Sequence, residues 1–213
     1  YDLRSILPDQ PIQNLVLEAV SGGDAKTSTE IASWLSETFA GHQGRWQADL
    51  YSVVDRCVQD LCTDGHLVQS GRHLEVADVA GTATRWGVAI ATVERLTKAV
   101  RRITGTSDDA RAMLYAISRT AELEGIFLPL GRREWIERVW SRKLIEEGEP
   151  SFVEVSCSGV RGRERAAKKA LLLEAWSEGK RMNVIEQRFG VFGGTVRSLA
   201  DQAAWLLELA LEQ

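Results

Sequence analysis

The sequence predicts a mainly α-helical protein with two domains, a winged helix over residues 1–80 and an all-helical bundle over residues 81–213. Three observations lead to this fold class. Apolar residues recur at helical spacing along most of the chain, a strand–turn–strand pattern with a turn at Ser70-Gly71 spans residues 66–76, and no strand pattern follows Gly81. Three helices and a small β-hairpin, in that order, make up a winged helix.

The helices of the first domain are marked by where they start and where they stop. Pro11 lies near the first turn of helix one, where its missing N–H costs nothing, and Ser21–Gly23 ends that helix. Thr27 and Glu30 have the spacing of a capping box for helix two, and Gly41–Gly44 separates it from helix three. The residues expected to face the core are Ile12, Leu15, Val16, Ala19, Val20, Ile31, Leu35, Phe39, Leu50, Val53, Val54, Cys57 and Leu61.

The second domain is expected to contain helices alone. The predicted helices are Thr84–Ile103, Ser107–Glu124, Arg132–Glu147, Arg163–Glu178, a short helix capped by Asn183 and Glu186 and stopped at Gly190, and Gly194–Leu211. A polar loop with Gly148, Pro150 and Gly159 precedes the fourth of these. The fourth helix is apolar nearly all round, which is typical of a central buried helix, so Trp176 is expected in the core.

Charge is divided unevenly between the two domains. Residues 1–80 carry 5 Lys/Arg and 12 Asp/Glu, a net charge of −7, whereas residues 81–213 carry 21 and 18, a net charge of +3. Because phosphate neutralisation dominates nucleic-acid affinity, the second domain is the favoured side for such a partner. Helix three of the winged helix carries more aspartates than arginines, which disfavours major-groove reading and favours a structural role.

Several classes of protein are disfavoured by composition. Cys57, Cys62 and Cys157 are too few and too scattered for a disulfide framework, which favours a reducing cytoplasm. No run of about 18 apolar residues predicts a membrane span, so no membrane partner is expected. The first residue is Tyr1 rather than Met, so we expect this sequence to be a piece of a longer protein.

The chain is not expected to catalyse a reaction by itself. An ATP-driven motor needs a G-x-x-x-x-G-K-[ST] loop after a strand, and the nearest segment, Gly22–Thr27, lacks the glycine before its lysine and follows a helix. Cys57 and Cys62 would point about 140° apart on a helix, so no zinc site is expected. We therefore expect no cofactor and no metal in this chain.

The second domain resembles the ratchet domain of the Ski-two-like superfamily II DNA helicases, which include archaeal fork-repair enzymes and the helicase part of polymerase theta. A helix ending in a leucine run and tryptophan, a short helix ending in an aromatic–glycine pair, and a glycine-opened helix with arginine and a later tryptophan carry the resemblance. These segments are Lys169–Lys180 (KALLLEAWSEGK), Ile185–Arg197 (IEQRFGVFGGTVR) and Ala204–Leu207 (AWLL); Gly81–Thr84 and Gly87–Leu96 resemble the family's entry to that domain.

The resemblance implies that single-stranded DNA crosses the last helix, where an arginine contacts the backbone and a tryptophan contacts a base. Trp205 matches the tryptophan, and Arg197 is the candidate arginine. The family tends to have two adjacent basic residues, whereas Ser198 follows here and lies seven residues before Trp205. Thr195 stands where the family has an aspartate and can cap the helix equally well.

A helical wheel tests Trp205 independently. Trp205 points about 150° from the centre of the apolar face, so it is expected to pack on another element, on a partner chain or on a base. That apolar face consists of Val196, Leu199, Ala203, Leu206, Leu207 and Ala210. Asp201 and Glu208 lie nearby and oppose phosphate, so a basic cluster must supply positive charge, namely Arg161, Arg163, Arg165, Lys168 and Lys169 together with Arg197. Alternatively, at least half of these basic side chains are simply solvated at the start of a helix and bind nothing.

Two functions remain open. The chain is predicted to be an accessory module that guides single-stranded DNA or RNA away from the RecA-like motor domains of the same parent chain, with ATP and Mg²⁺ bound in those motor domains. The alternative is an adaptor that docks a partner such as a nuclease or another effector protein. The nucleic-acid-binding residues predicted for the first function are Arg163, Lys168, Lys169, Arg197, Ser198 and Trp205.

Overall fold

The computed structural model describes residues 5, 7–9, 11–46, 49–103, 105, 107–146 and 159–212. Within these ranges the predicted fold class is confirmed, because the chain is mainly helical with one two-stranded sheet. Two compact units make up the chain, Tyr1–Ile90 and Ala91–Gln213. Some sequence predictions lie outside the described part, namely those on Tyr1, Cys157, the loop with Gly148 and Pro150, and the capping side chain of Ser107.

The first unit has the helices and the hairpin of a winged helix. After a 3₁₀ turn at Leu7–Asp9, its elements are α1 (Ile12–Gly22), α2 (Ser28–Glu37), α3 (Phe39–His42), α4 (Leu50–Thr63), β1 (Leu67–Ser70), β2 (His73–Val76) and α5 (Asp78–Trp86). The two strands are antiparallel, with Leu67 opposite Val76 and Ser70 opposite His73. Gly71 has a left-handed φ of 63° in the turn that joins them, a conformation that glycine adopts at no steric cost.

The core of the first unit lies between the apolar faces of α1, α2 and α4. The predicted cap of α2 is confirmed, since the Thr27 hydroxyl oxygen accepts the N–H of Glu30 at 3.2 Å. The Glu30 carboxylate accepts the N–H of Lys26 at 2.7 Å, one residue before the cap. Buried residues that the sequence analysis assigned to this core are Leu15, Val16, Ala19, Val20, Ile31, Leu35, Leu50, Val54, Cys57 and Leu61.

Phe39 is not in that core, contrary to the prediction, and its side chain is 55% exposed. Helix α2 ends at Glu37, and the Thr38 hydroxyl oxygen accepts the N–H of Gly41 at 3.4 Å. This hydrogen bond starts the separate four-residue helix α3 at Phe39. The change of helix takes Phe39 off the apolar face that α2 presents to the core.

The second unit is built from helices throughout its described residues. Its elements are α6 (Ile90–Val100), which begins at the last residue of the first unit, α7 (Ser107–Ile117), α8 (Ala121–Glu124), α9 (Arg132–Ile136), α10 (Val139–Glu146), α11 (Gly159–Ser177), α12 (Met182–Phe189) and α13 (Gly193–Leu211). Helix α5 spans the predicted domain boundary between residues 80 and 81 and packs against α1 within the first unit. The domain boundary after residue 80 stays a prediction.

Three helices predicted as continuous are each divided in two. Gly87 has a left-handed φ of 64° and ends α5 before α6 begins. The Thr120 hydroxyl oxygen accepts the N–H of Leu123 at 3.4 Å and starts α8 after α7. Arg138 has a φ of 54°, unusual for a residue with a side chain, and lies between α9 and α10. Helix α12 begins at Met182, so Asn183 lies inside the helix and does not cap it.

Helix α11 is the central helix of the second unit, as its apolar sequence predicts. It packs against α7, α10, α12 and α13, which confirms that the last helix lies against it. Its buried apolar residues are Ala166, Ala167, Ala170, Leu171, Leu172, Leu173 and Ala175. Trp176 was expected in this core but is 38% exposed, because α11 ends at the next residue.

Lys169 lies in the same core, with 2% of its surface exposed. Its ammonium group donates a hydrogen bond to the backbone oxygen of Leu123. Burial, the largest influence, lowers the pKa of Lys169 from 10.5 to about 8; the Glu124 carboxylate opposes this shift and Arg165 adds to it. The folded protein therefore holds this proton less tightly than the unfolded chain does.

We expect the free energy of unfolding to depend on pH through Lys169. Between pH 8 and pH 10.5 the unfolded chain binds more protons at this residue than the folded chain does, so the Lys169 contribution rises with pH. The gain should be on the order of 1 kcal/mol per pH unit in this window. Denaturant unfolding of the wild type and of Lys169→Met between pH 8 and pH 10.5 gives two pH profiles of the free energy of unfolding. Their difference measures the Lys169 contribution, because the titration of Cys57 and Tyr115 is common to both proteins. Parallel pH profiles for the two proteins would contradict the assignment.

Candidate nucleic-acid interface

The last two helices approach each other closely at a glycine. The backbone N–H of Gly193 donates to the Glu186 carboxylate at 2.7 Å, which ties the start of α13 to α12. A Cβ atom at residue 193 would lie 3.1 Å from that carboxylate oxygen and 3.4 Å from the Met182 sulfur. Since the first distance is tighter than ordinary contact, a side chain at residue 193 would require the Glu186 carboxylate to shift, and glycine avoids this.

Helix α13 has one buried face and one outer face. Its buried residues are Val196, Leu199, Ala203, Leu206, Leu209 and Ala210. Leu207 was expected on this face but is 36% exposed, and Leu209 is buried in its place. On the outer face, Arg197 and Ser198 are exposed and Trp205 is half-buried. Trp205 therefore lies away from the core of α13, as the wheel indicates, and is partly covered.

The outer residues of α13 are spaced along one helix. Ser198 and Trp205 are seven residues apart, which places them on the same side of α13 and about 10 Å apart along its axis. Arg197 lies one residue before Ser198 and on the adjacent side. Asp201 and Glu208 are also exposed on this helix, so the positive charge of Arg197 is opposed by two carboxylates.

Lys168 and Lys169 do not contribute to an exposed basic surface, contrary to the prediction. Both are buried, Lys168 with 3% of its surface exposed. The Lys168 ammonium donates to the backbone oxygen of Pro129 at 2.7 Å and to the Glu134 carboxylate at 3.2 Å. A buried ammonium needs such acceptors, and these hydrogen bonds hold the two lysines inside the second unit. We therefore remove both from the candidate interface.

Arg163 is half-buried and lies apart from the outer face of α13. It lines a pocket of about 250 Å³ together with Tyr115 of α7 and residues of α10, among them Ser141 and Arg142. The buried carboxylate of Glu164 lines the same pocket. The structure thus groups Arg197, Ser198 and Trp205 on one helix and places Arg163 elsewhere.

The basic start of α11 joins an aromatic residue that the sequence analysis did not select. The Arg161 guanidinium lies over the Trp135 ring, 4.4 Å from its centroid, and Arg165 lies 5.7 Å from the centroid of Phe127. Trp135 belongs to the short helix α9, far from α11 in sequence. Only the fold brings the two segments together, and no local sequence pattern indicates the pairing.

Among the described residues, no group of three or more His, Cys, Asp or Glu residues could hold a metal ion. None of the helices described has both the length and the apolar character that crossing a membrane requires.

Comparison with known proteins relates the second unit to helicases. The family model for domain 4 of archaeal helicases matches residues 111–212. A curated relative, the ATP-dependent DNA helicase Hel308 of Caldivirga maquilingensis, is 23% identical over 203 residues. The alignment covers 90% of this chain and 26% of that helicase, so the chain spans about a quarter of the relative's length. Together these similarities support the resemblance of the second unit to the C-terminal helical domain of a Ski-two-like helicase.

Proposed function

We propose that the second unit guides single-stranded nucleic acid across the outer face of α13 as the strand leaves ATP-driven motor domains of the parent protein. Arg197 contacts the backbone of the strand, and Trp205 contacts a base. Ser198 lies between them and donates or accepts a hydrogen bond at a phosphate or a sugar. ATP and Mg²⁺ belong to the motor domains in this proposal.

The arrangement of α13 carries this proposal. The helix buries one apolar face against α11 and leaves Arg197 and Ser198 exposed on the outer side, with Trp205 along the same line. A rigid helix in a packed unit holds such a row of side chains at fixed spacing, which a strand moving in steps requires. An aromatic ring next to cationic and hydroxyl groups is the usual combination for a single strand, because every base can stack on it.

The first unit has a supporting role in this proposal. The outward side of α4 exposes Asp55 and Asp60 beside a single arginine, Arg56. Entry into the major groove would bring these carboxylates close to phosphates, where like charges repel. This acidic side of α4 supports a structural winged helix rather than a sequence-specific DNA reader.

Replacing Arg197 with glutamine should weaken binding of a labelled oligothymidylate to this chain about two- to fivefold at low salt. The loss of one phosphate contact should also reduce the dependence of log affinity on log salt by about 0.7, the value for a single strand. Fluorescence anisotropy at several salt concentrations measures both quantities.

Arg181→Gln is the matched control, because Arg181 is also exposed but stands at the N-cap position of α12 and not on α13. It should leave the affinity and the salt dependence close to those of the wild type. Equal effects of the two substitutions would mean that general positive charge, and not a contact on α13, is responsible for binding.

A further inference from the structure

A second basic surface of the second unit has the form of a pocket. It has a volume of about 430 Å³ and is lined by Leu130, Arg132, Trp135, Arg161 and Arg165. We call it the arginine–tryptophan pocket. Its size falls within the range of about 300–1,000 Å³ that small-ligand sites occupy. The residues come from α9, from the segment before it and from the first two turns of α11.

One guanidinium of this pocket lies over an aromatic ring. The central carbon of the Arg161 guanidinium is 4.4 Å from the centroid of the Trp135 ring, so the ring covers one side of this group. Its other face and its N–H edge are left to a ligand, since none of the ion pairs found among the described residues includes Arg161. A planar guanidinium beside an aromatic ring can stack on a nucleobase through its open side.

The charge of the pocket calls for an anion. Three arginines line it and no carboxylate does so among the described residues. The nearest acidic side chains in sequence are occupied elsewhere, because Glu134 binds Lys168 and Trp140, and Glu164 binds the start of α10. Arginines that converge repel one another, and a bound phosphate relieves that repulsion.

We propose that the arginine–tryptophan pocket holds one nucleotide of a single-stranded nucleic acid. Its base stacks on the exposed face of the Arg161 guanidinium, and its phosphate is bound by Arg132 and Arg165. An acidic peptide would use the charges but not the flat stacked surface, so a nucleotide fits the pocket better. This inference rests on the proposed function, because the pocket would give the same strand a second contact in addition to the one on α13.

The test measures how pocket variants of this chain bind labelled oligothymidylate and oligouridylate of about fifteen nucleotides, the upper range of one binding module. Arg161→Ala and Trp135→Ala should each weaken binding about fivefold or more, the lower bound for loss of one stacked base. Arg161→Lys, which keeps the charge but not the planar group, should lose most of the same affinity. Thermal unfolding of each variant, with Trp135→Phe as the conservative form, separates lost binding from lost folding.

Arg133→Gln is the matched control, because Arg133 is adjacent in sequence, highly exposed and paired with Glu137 outside the pocket. It should bind like the wild type. An abasic strand of the same length should bind more weakly than oligothymidylate, and Arg161→Ala should remove most of that difference. Full binding by Arg161→Lys, or equal competition by polyglutamate of the same charge, would overturn the nucleotide assignment.

The proposal for the pocket and the proposal for the outer face of α13 can be contradicted separately. If pocket variants bind normally while Arg197→Gln weakens binding, the pocket is overturned and the proposed function stands. If pocket variants weaken binding while Arg197→Gln and Trp205→Ala do not, the pocket stands and the proposed path on α13 is overturned. Normal binding by all of these variants would overturn both.

Discussion

Trp205→Ala is expected to reduce strand translocation at least about tenfold in a helicase that carries this chain behind its motor domains, and to reduce ATP hydrolysis far less. The proposed base contact on α13 couples each ATP cycle to movement of the strand, and stacking on one base is worth roughly 1–3 kcal/mol. Removing the ring removes that grip while leaving the motor intact. The ratio of base pairs unwound to ATP hydrolysed measures the effect directly.

The effect of Trp205→Ala on folding should be moderate. Trp205 is half-buried and lies off the apolar face that packs on α11, so its loss should cost well below the roughly 3–5 kcal/mol of a buried Trp→Ala change. Trp176→Ala is the matched control, because Trp176 is a partly exposed tryptophan on α11. If Trp205→Ala lowers the melting temperature by many degrees and leaves translocation per folded molecule unchanged, Trp205 is a packing residue.

The fold class could be predicted because apolar spacing repeats over whole helices. The faces of α1, α2 and α4 each contain several apolar residues at helical intervals, so one residue that does not fit the pattern does not change the predicted helix. The positions at which helices break could not be predicted, because single residues determine them. Thr38 and Thr120 start new helices with one hydrogen bond each, and Gly87 and Arg138 take left-handed backbone conformations. Helical periodicity carries little information about breaks of this kind.

The candidate interface was predictable only where its residues share one helix. Arg197, Ser198 and Trp205 are related by the geometry of α13 alone. A cluster of basic residues in the sequence does not show which of its side chains are exposed, because exposure depends on hydrogen-bond acceptors that are distant in the sequence. Lys168 and Lys169 are buried by acceptors 39 and 46 residues away in the sequence, Pro129 and Leu123. The stacking of Arg161 on Trp135 is likewise a tertiary contact.

Glu164→Ala is expected to give the largest loss of stability in the second unit. The Glu164 carboxylate, 1% exposed, accepts the backbone N–H of Trp140 at 2.9 Å and that of Ser141 at 3.3 Å, and it also accepts the Ser141 hydroxyl. It therefore caps α10 from a different helix, where a negative charge is favoured by the helix dipole. Alanine removes this acceptor from the buried N–H of Trp140 and from the half-buried N–H and hydroxyl of Ser141, which should cost about 3–5 kcal/mol.

The consequences of losing Glu164 should extend beyond α10. The Trp140 ring stacks on Phe189 of α12 with centroids 5.2 Å apart, and α12 holds the start of α13 through Glu186 and Gly193. Hydrogen exchange should therefore become faster in α10 and α12 of Glu164→Ala, while denaturant unfolding gives the total loss. Glu164→Gln retains one acceptor and should cost less, and Glu178→Gln should cost under about 0.5 kcal/mol, because its pair with Lys180 is exposed. Equal stability of Glu164→Ala and Glu178→Gln would show that the cap contributes nothing to the stability of the second unit.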